Sequence, residues 1–151
     1  MDAVRQEPIV IACDHAGVEL KEILAADLRA AGFAVFDLGT NGPDSVDYPD
    51  FGNKLAEAIQ RGDAKRGVLI CGTGIGISIA ANKVRGIRAA LVQSADAAGQ
   101  SRRHNDANVL CFGAKYVDLP TALACVEAFL AAEFEAGRHT RRVDKLESPC
   151  G

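Results

Sequence analysis

The sequence has no long apolar run, no CxxC pair, no excess of positive charge and few aromatic residues, and each shortage removes a class of function. Nothing approaches the roughly 20 consecutive apolar residues that a membrane-spanning helix requires. The start, Met1-Asp2-Ala3-Val4-Arg5-Gln6-Glu7, carries acids and lacks the apolar stretch of a secretory signal, so a soluble, unprocessed protein is expected. The cysteines, Cys13, Cys71, Cys111, Cys125 and Cys150, are odd in number, and three of them sit in or at the end of strand-like runs, where a reduced thiol behaves as a small hydrophobe. A reducing, cytoplasmic setting follows. His15, His104, His139 and the cysteines lack the short paired spacings of a preformed zinc site, so no metal is expected to take part in the chemistry. With a net charge of −3 and aromatics at 5 %, not interleaved with basic residues, no attraction to nucleic acid or to a membrane surface is expected. Any anion site must be local.

What is present is a single domain over residues 1–151, long enough and apolar enough (48 %) to bury a core. Apolar strand candidates alternate with helix candidates. Strands are expected at Ile9–Cys13, Phe33–Leu38, Val68–Cys71, Ile87–Val92 and Val109–Phe112. Helices are expected at Val18–Ala31, closed by Gly32, and at Phe51–Arg61, Ile77–Lys83, Ser94–Arg103 and Leu119–Phe134, followed by a basic tail. This alternation predicts an α/β fold: a doubly wound, Rossmann-like, five-stranded parallel sheet with helices on both faces. Such sheets bind ligands outside the carboxyl ends of their strands. Cys13-Asp14-His15, Asp37, the Asp47-Tyr48 loop and Cys71-Gly72-Thr73 are expected there, and Arg102-Arg103-His104-Asn105-Asp106 is expected at the same rim.

The most informative segment is Cys71-Gly72-Thr73-Gly74-Ile75-Gly76, placed between the apolar Gly67-Val68-Leu69-Ile70 and a helix. Alternate glycines clear side chains from the turn, so successive N–H groups and the helix N-terminus form an anion cradle. A thiol enters this cradle and a hydroxyl, Thr73, follows; a thiolate beside positive backbone dipoles serves as base or nucleophile. Two other glycine loops do not fit. A dinucleotide fingerprint needs GxGxxG after the first strand, where this chain has Asp14-His15-Ala16-Gly17, and a Walker A loop needs Gly-Lys-Ser/Thr, whereas Lys83 lies well beyond Gly76.

Five ordered segments are similar to the type B ribose-5-phosphate isomerases, a family that includes galactose-6-phosphate isomerase subunits. They are Cys13-Asp14-His15-Ala16-Gly17, Asp47-Tyr48-Pro49, Cys71 to Gly76 with Ser78-Ile79-Ala80-Ala81-Asn82-Lys83, Arg103-His104-Asn105-Asp106-Ala107-Asn108-Val109-Leu110, and Gly137-Arg138-His139 with Arg142. The resemblance spans nearly the whole chain. It implies a metal-free, cofactor-free aldose–ketose isomerase of the pentose phosphate pathway, with active sites at a homodimer interface and a tetramer as a possible larger assembly.

On that resemblance Cys71 is the base, and the N–H groups of Gly72, Gly74, Ile75 and Gly76 hold the enediolate oxygen. Thr73 assists proton movement between oxygens. His104 opens the sugar ring, with Asn105 beside it, and an imidazole titrating near neutrality suits that task. Asp14 contacts sugar hydroxyls, with Tyr48 nearby, a role compatible with capping the first helix. Arg138 and Arg142, one helical turn apart, bind the phosphate with His15 and His139, since guanidinium forks bind phosphate bidentately. This clamp belongs to the tail, residues 137–151, and the partner subunit is expected to supply it. Lys115 stands where the family commonly has arginine, and Ala136 replaces a common glycine. Ribose 5-phosphate is the leading substrate. Four-carbon or six-carbon sugar phosphates (erythrose 4-phosphate, galactose or allose 6-phosphate) are the alternative, and a non-catalytic sugar-phosphate sensor is a third reading, disfavoured because a binder needs neither thiol nor ring-opening base.

Overall fold

In the computed structural model, which describes residues 7–148, strands and helices alternate as the apolar periodicity predicts. The order is β1 (Ile9–Cys13), a tight turn at His15–Gly17, α1 (Val18–Ala30), β2 (Val35–Asp37), α2 (Tyr48–Gln60) and β3 (Arg66–Cys71). It continues through α3 (Ile75–Asn82), β4 (Ala89–Leu91), α4 (Ala95–Asn105), β5 (Val109–Gly113), α5 (Leu119–Ala131) and α6 (Arg138–Glu147). Cys150 lies outside the described residues. Among the described residues no helix is long and apolar enough to cross a membrane.

All strands run parallel in one sheet, ordered β2-β1-β3-β5-β4. The central strands β1, β3 and β5 are buried along their whole length, as unbroken apolar runs in a parallel sheet must be. Their alternate side chains feed two cores. Ile9, Ile11, Val68, Ile70, Leu110 and Phe112 face α1, α4 and α5, whereas Val10, Leu69, Cys71, Val109 and Cys111 face α2 and α3. The edge strands β2 and β4 are shorter than their apolar runs, and α2 begins at Tyr48 rather than Phe51 because Pro49 fits the first turn of a helix, where no N–H bond is lost. The largest departure is the tail. It forms a helix, α6, anchored by the buried His139 and Val143.

Chain direction leaves β2 and β1 on one side of the switch point and β3, β5 and β4 on the other. The crevice between the carboxyl ends of β1 and β3 is therefore where a ligand is expected. Asp14 and Cys71 flank it.

Candidate active site

At the end of β3 the chain turns through Gly72-Thr73-Gly74 into α3. Gly74 is left-handed (φ +78), and a β-carbon there would lie 2.5 Å from Leu91 and 2.7 Å from the Phe112 backbone. Gly113, which the sequence pattern did not single out, is equally constrained: a β-carbon would lie 2.3 Å from the Thr73 carbonyl oxygen. With the loop held in this way, the Gly74 N–H donates to Cys71 Sγ at 3.1 Å and the Ile75 N–H donates to Thr73 Oγ1 at 3.2 Å. Two of the cradle's N–H groups are thus aimed at the thiol and the hydroxyl, and those of the following first turn of α3 have no intrahelical partner.

Burial pushes the Cys13 thiol up to about 12 and raises Cys111 and Cys125 as well, which suits inert core thiols. Cys71 stands apart from these in its contact: its sulphur receives the Gly74 N–H at the mouth of the glycine loop.

The other residues of this rim are tied to it by short local contacts. Asp14, buried after β1, accepts the Ala16 N–H at 3.0 Å and so caps the turn that precedes α1. His15 Nδ1 accepts the Val46 N–H at 3.1 Å, which leaves the ring's proton on Nε2 in the neutral form. Tyr48 lies across Gly76, where a β-carbon would come within 2.4 Å of its ring. Lys115, whose N–H donates to the Gly72 carbonyl at 3.0 Å, brings its side chain beside Gly72. Asp14, His15, Tyr48, Cys71, Gly72, Thr73, Gly74, Ile75 and Gly76 are therefore gathered, as expected, with Lys115 beside them.

His104, Asn105, Arg138 and Arg142 are not. The order of the chain predicts one rim for all the polar groups, and the structure corrects this. In a parallel sheet a helix leaving the carboxyl end of β4 must return to the amino end of β5. His104 closes α4, just before Val109 opens β5, whereas Cys71 pairs with Gly113 at the far end of that strand. About 13 Å of strand separates the two rims. At the second rim the rings of His104 and His139 stack with centroids 4.2 Å apart, and Arg138 and Arg142 are exposed on α6. Loss of solvent lowers the proton affinity of His139, and His104, Arg138 and Arg142 lower it further against the opposing Glu135. A cleft of about 840 Å³ opens here, lined by Lys83, Arg85, Arg88, Asn105 and Glu147, and includes none of the Cys71-rim residues. It contains neither thiol nor glycine cradle.

Residues 9–146 match the model of a family described as Ribose/Galactose Isomerase. The chain belongs to that family. It is 46 % identical over 138 residues to the ribose-5-phosphate isomerase B of Escherichia coli K12, covering 91 % of this chain and 93 % of that protein. The fold superposes on the Clostridium thermocellum ribose-5-phosphate isomerase B with a TM-score of 0.92 at 52 % identity, covering 93 % and 95 % of the two chains. It also matches the Mycoplasma genitalium ribose-5-phosphate isomerase B with bound ribulose-5-phosphate, with a TM-score of 0.90 at 45 % identity over 93 % of this chain and 94 % of that one. The sheet, the chain direction and the motif order of this family member are thus in place, and the doubly wound architecture expected from the sequence holds.

Proposed function

We propose that this chain interconverts ribose 5-phosphate and ribulose 5-phosphate through an enediolate, with Cys71 as the base. The observation that carries the reading is the Gly74 N–H on Cys71 Sγ at the mouth of the glycine loop. It fixes the position of the sulphur at the switch-point crevice. The thiolate takes the C2 proton of the open-chain aldose, and electrons move onto O1 to give the enediolate. Return of the proton to C1, with passage of the O2 hydrogen to O1, gives the ketose. Thr73 Oγ1 accepts the Ile75 N–H, so its own hydrogen is free for the oxygens between which a proton must pass. Well-placed donors at such an oxyanion contribute about 3 kcal/mol each.

Ring opening falls to His104 and phosphate binding to Arg138 and Arg142. Because these stand at the rim opposite Cys71, the reading requires two copies of the chain, each lending its second rim to the other's cradle in a homodimer. A reduced Cys71 suits a cytoplasmic enzyme that needs no cofactor. Ketose formation from a panel of four-, five- and six-carbon aldose phosphates tests the substrate, with the five-carbon sugar expected to be fastest. Cys71→Ser should lower turnover by several orders of magnitude without unfolding the protein, since a hydroxyl is too weakly acidic to replace the thiolate. Near wild-type turnover in Cys71→Ser would end the assignment.

A further inference from the structure

The second rim holds a side-chain cluster that ring opening does not use in full. The Glu135 N–H donates to the Arg103 carbonyl at 3.0 Å, so the segment entering α6 is pinned against the end of α4. This brings His104, Glu135 and His139 together, with one donor atom from each lying within 4.8 Å of the others. The stacked imidazoles, inclined by only 13°, both present Nε2 to Glu135, at 3.7 Å and 3.8 Å from its Oε1. Those separations are too long for hydrogen bonds, so the three groups converge without satisfying one another.

We propose that His104, Glu135 and His139 form a binding site for a divalent transition-metal ion of the zinc class, and that its occupation switches the enzyme off. Two imidazoles and one carboxylate with an open fourth position are a common zinc donor set. Metal bonds of 2.0–2.2 Å at tetrahedral angles place donor atoms about 3.4 Å apart, so a modest contraction completes the site. In the single chain the side chains of His104 and Glu135 are 41 % and 51 % exposed, whereas His139, at 9 %, is the fixed ligand. The nearby Arg138 and Arg142, on α6, oppose a cation, while the Glu135 carboxylate offsets them. Imidazole ligands select zinc, copper or nickel over magnesium and calcium.

Inhibition rests on the reading of His104 as the ring-opening group. Once its Nε2 lone pair is held by a metal, that nitrogen neither accepts nor returns a proton.

Zinc chloride titrated calorimetrically into the wild type and into Cys71→Ser should give one micromolar site per chain in both proteins, weakened at least tenfold by Glu135→Gln and absent with magnesium chloride. X-ray absorption at the zinc edge of the wild type should show nitrogen and oxygen neighbours at about 2.0–2.2 Å and no sulphur near 2.3 Å. No binding, binding undiminished by Glu135→Gln, or sulphur in the first shell overturns the site. In metal-free buffer Glu135→Gln should keep its isomerase rate, and it should need at least tenfold more zinc than the wild type for half inhibition. Zinc that binds at the site and leaves the wild-type rate intact overturns the switch. If the metal-free wild type shows no isomerase activity, the proposed function fails, whereas calorimetry and absorption still decide the metal site.

Discussion

Lys21, fully buried, and Asp37, partly buried, form an ion pair in which the ammonium lies 2.7 Å from both carboxylate oxygens. The Lys21 side chain is 0 % exposed, and its third donor goes to Asn41 Oδ1. Asp37 in turn accepts the Gly39 N–H at 2.9 Å, so the pair fixes the loop that runs from β2 toward Tyr48. Removing one member strands the other's charge in a poorly solvated place, and Lys21→Met should lower the unfolding free energy by about 3 kcal/mol. Asp37→Asn added to it should restore part of that loss, giving a coupling visible in a double-mutant cycle of urea midpoints. Additive effects would mean that the pair contributes little.

Ala136 occupies the left-handed region with φ +58, next to Gly137 at φ +55. A β-carbon in that conformation is crowded by its own backbone, and glycine is not. Ala136→Gly should therefore stabilise the protein by about 1 kcal/mol. Thermal unfolding of the two proteins side by side checks this, and a lower melting temperature for the variant would contradict the assigned backbone.

His139 titrates below its ordinary value, from loss of solvent first and then from His104, Arg138 and Arg142 against Glu135. A folded-state value below the unfolded one means that the unfolded chain binds the extra proton first. Stability is then fully present above the ordinary histidine pKa of about 6.5 and is lost as pH falls through the folded value. His139→Gln, which has no such proton to gain, should show a shallower fall in urea midpoint on acidification than the wild type. Parallel curves would remove His139 from the acid response.

Arg138→Ala and Arg142→Ala should chiefly raise KM for sugar phosphates and leave kcat nearly unchanged, because the phosphate keeps its charge through the reaction and its clamp acts on ground and transition states alike. Steady-state kinetics on ribose 5-phosphate separates the two constants. A fall in kcat with constant KM would place these arginines at the reacting carbons instead.

The rim built around Cys71 was legible in the sequence because its parts are local. Alternate glycines, a leading thiol and a following helix specify the loop over six residues, and Asp14 and Tyr48 lie directly at strand and helix ends. What was not legible is tertiary. The start of α3 at Ile75 rather than Ile77 goes with a left-handed Gly74, a position where Leu91 and Phe112 also leave no room for a β-carbon. Helix α6 carries only Val143 and Leu146 as apolar residues among charged ones, so its sequence reads as a basic tail, and it packs on α4 with His139 and Val143 buried. His104 resembles a neighbour of Cys71 when motifs are read in order, yet chain direction in a parallel sheet carries it to the other end. The Glu135 cluster has no sequence signature at all, since one of its members comes from α4 and two from the approach to and first turn of α6.

The separation of the two rims makes a prediction about mixtures. If each reaction site takes Cys71 from one copy and His104 from the other, Cys71→Ala and His104→Ala homodimers each lack a working group in both sites. A dimer of one of each has one doubly damaged site and one intact site. After the two inactive proteins are unfolded, mixed in equal amounts and refolded, half of the dimers are mixed and half of the sites in those are intact. About a quarter of the wild-type rate should return, provided that the pairing is random and each variant alone is nearly silent. The single-variant controls, refolded in the same way, set the background. A mixture no more active than their average would mean that Cys71 and His104 do not meet across two chains, and the division of labour between the rims would have to be abandoned.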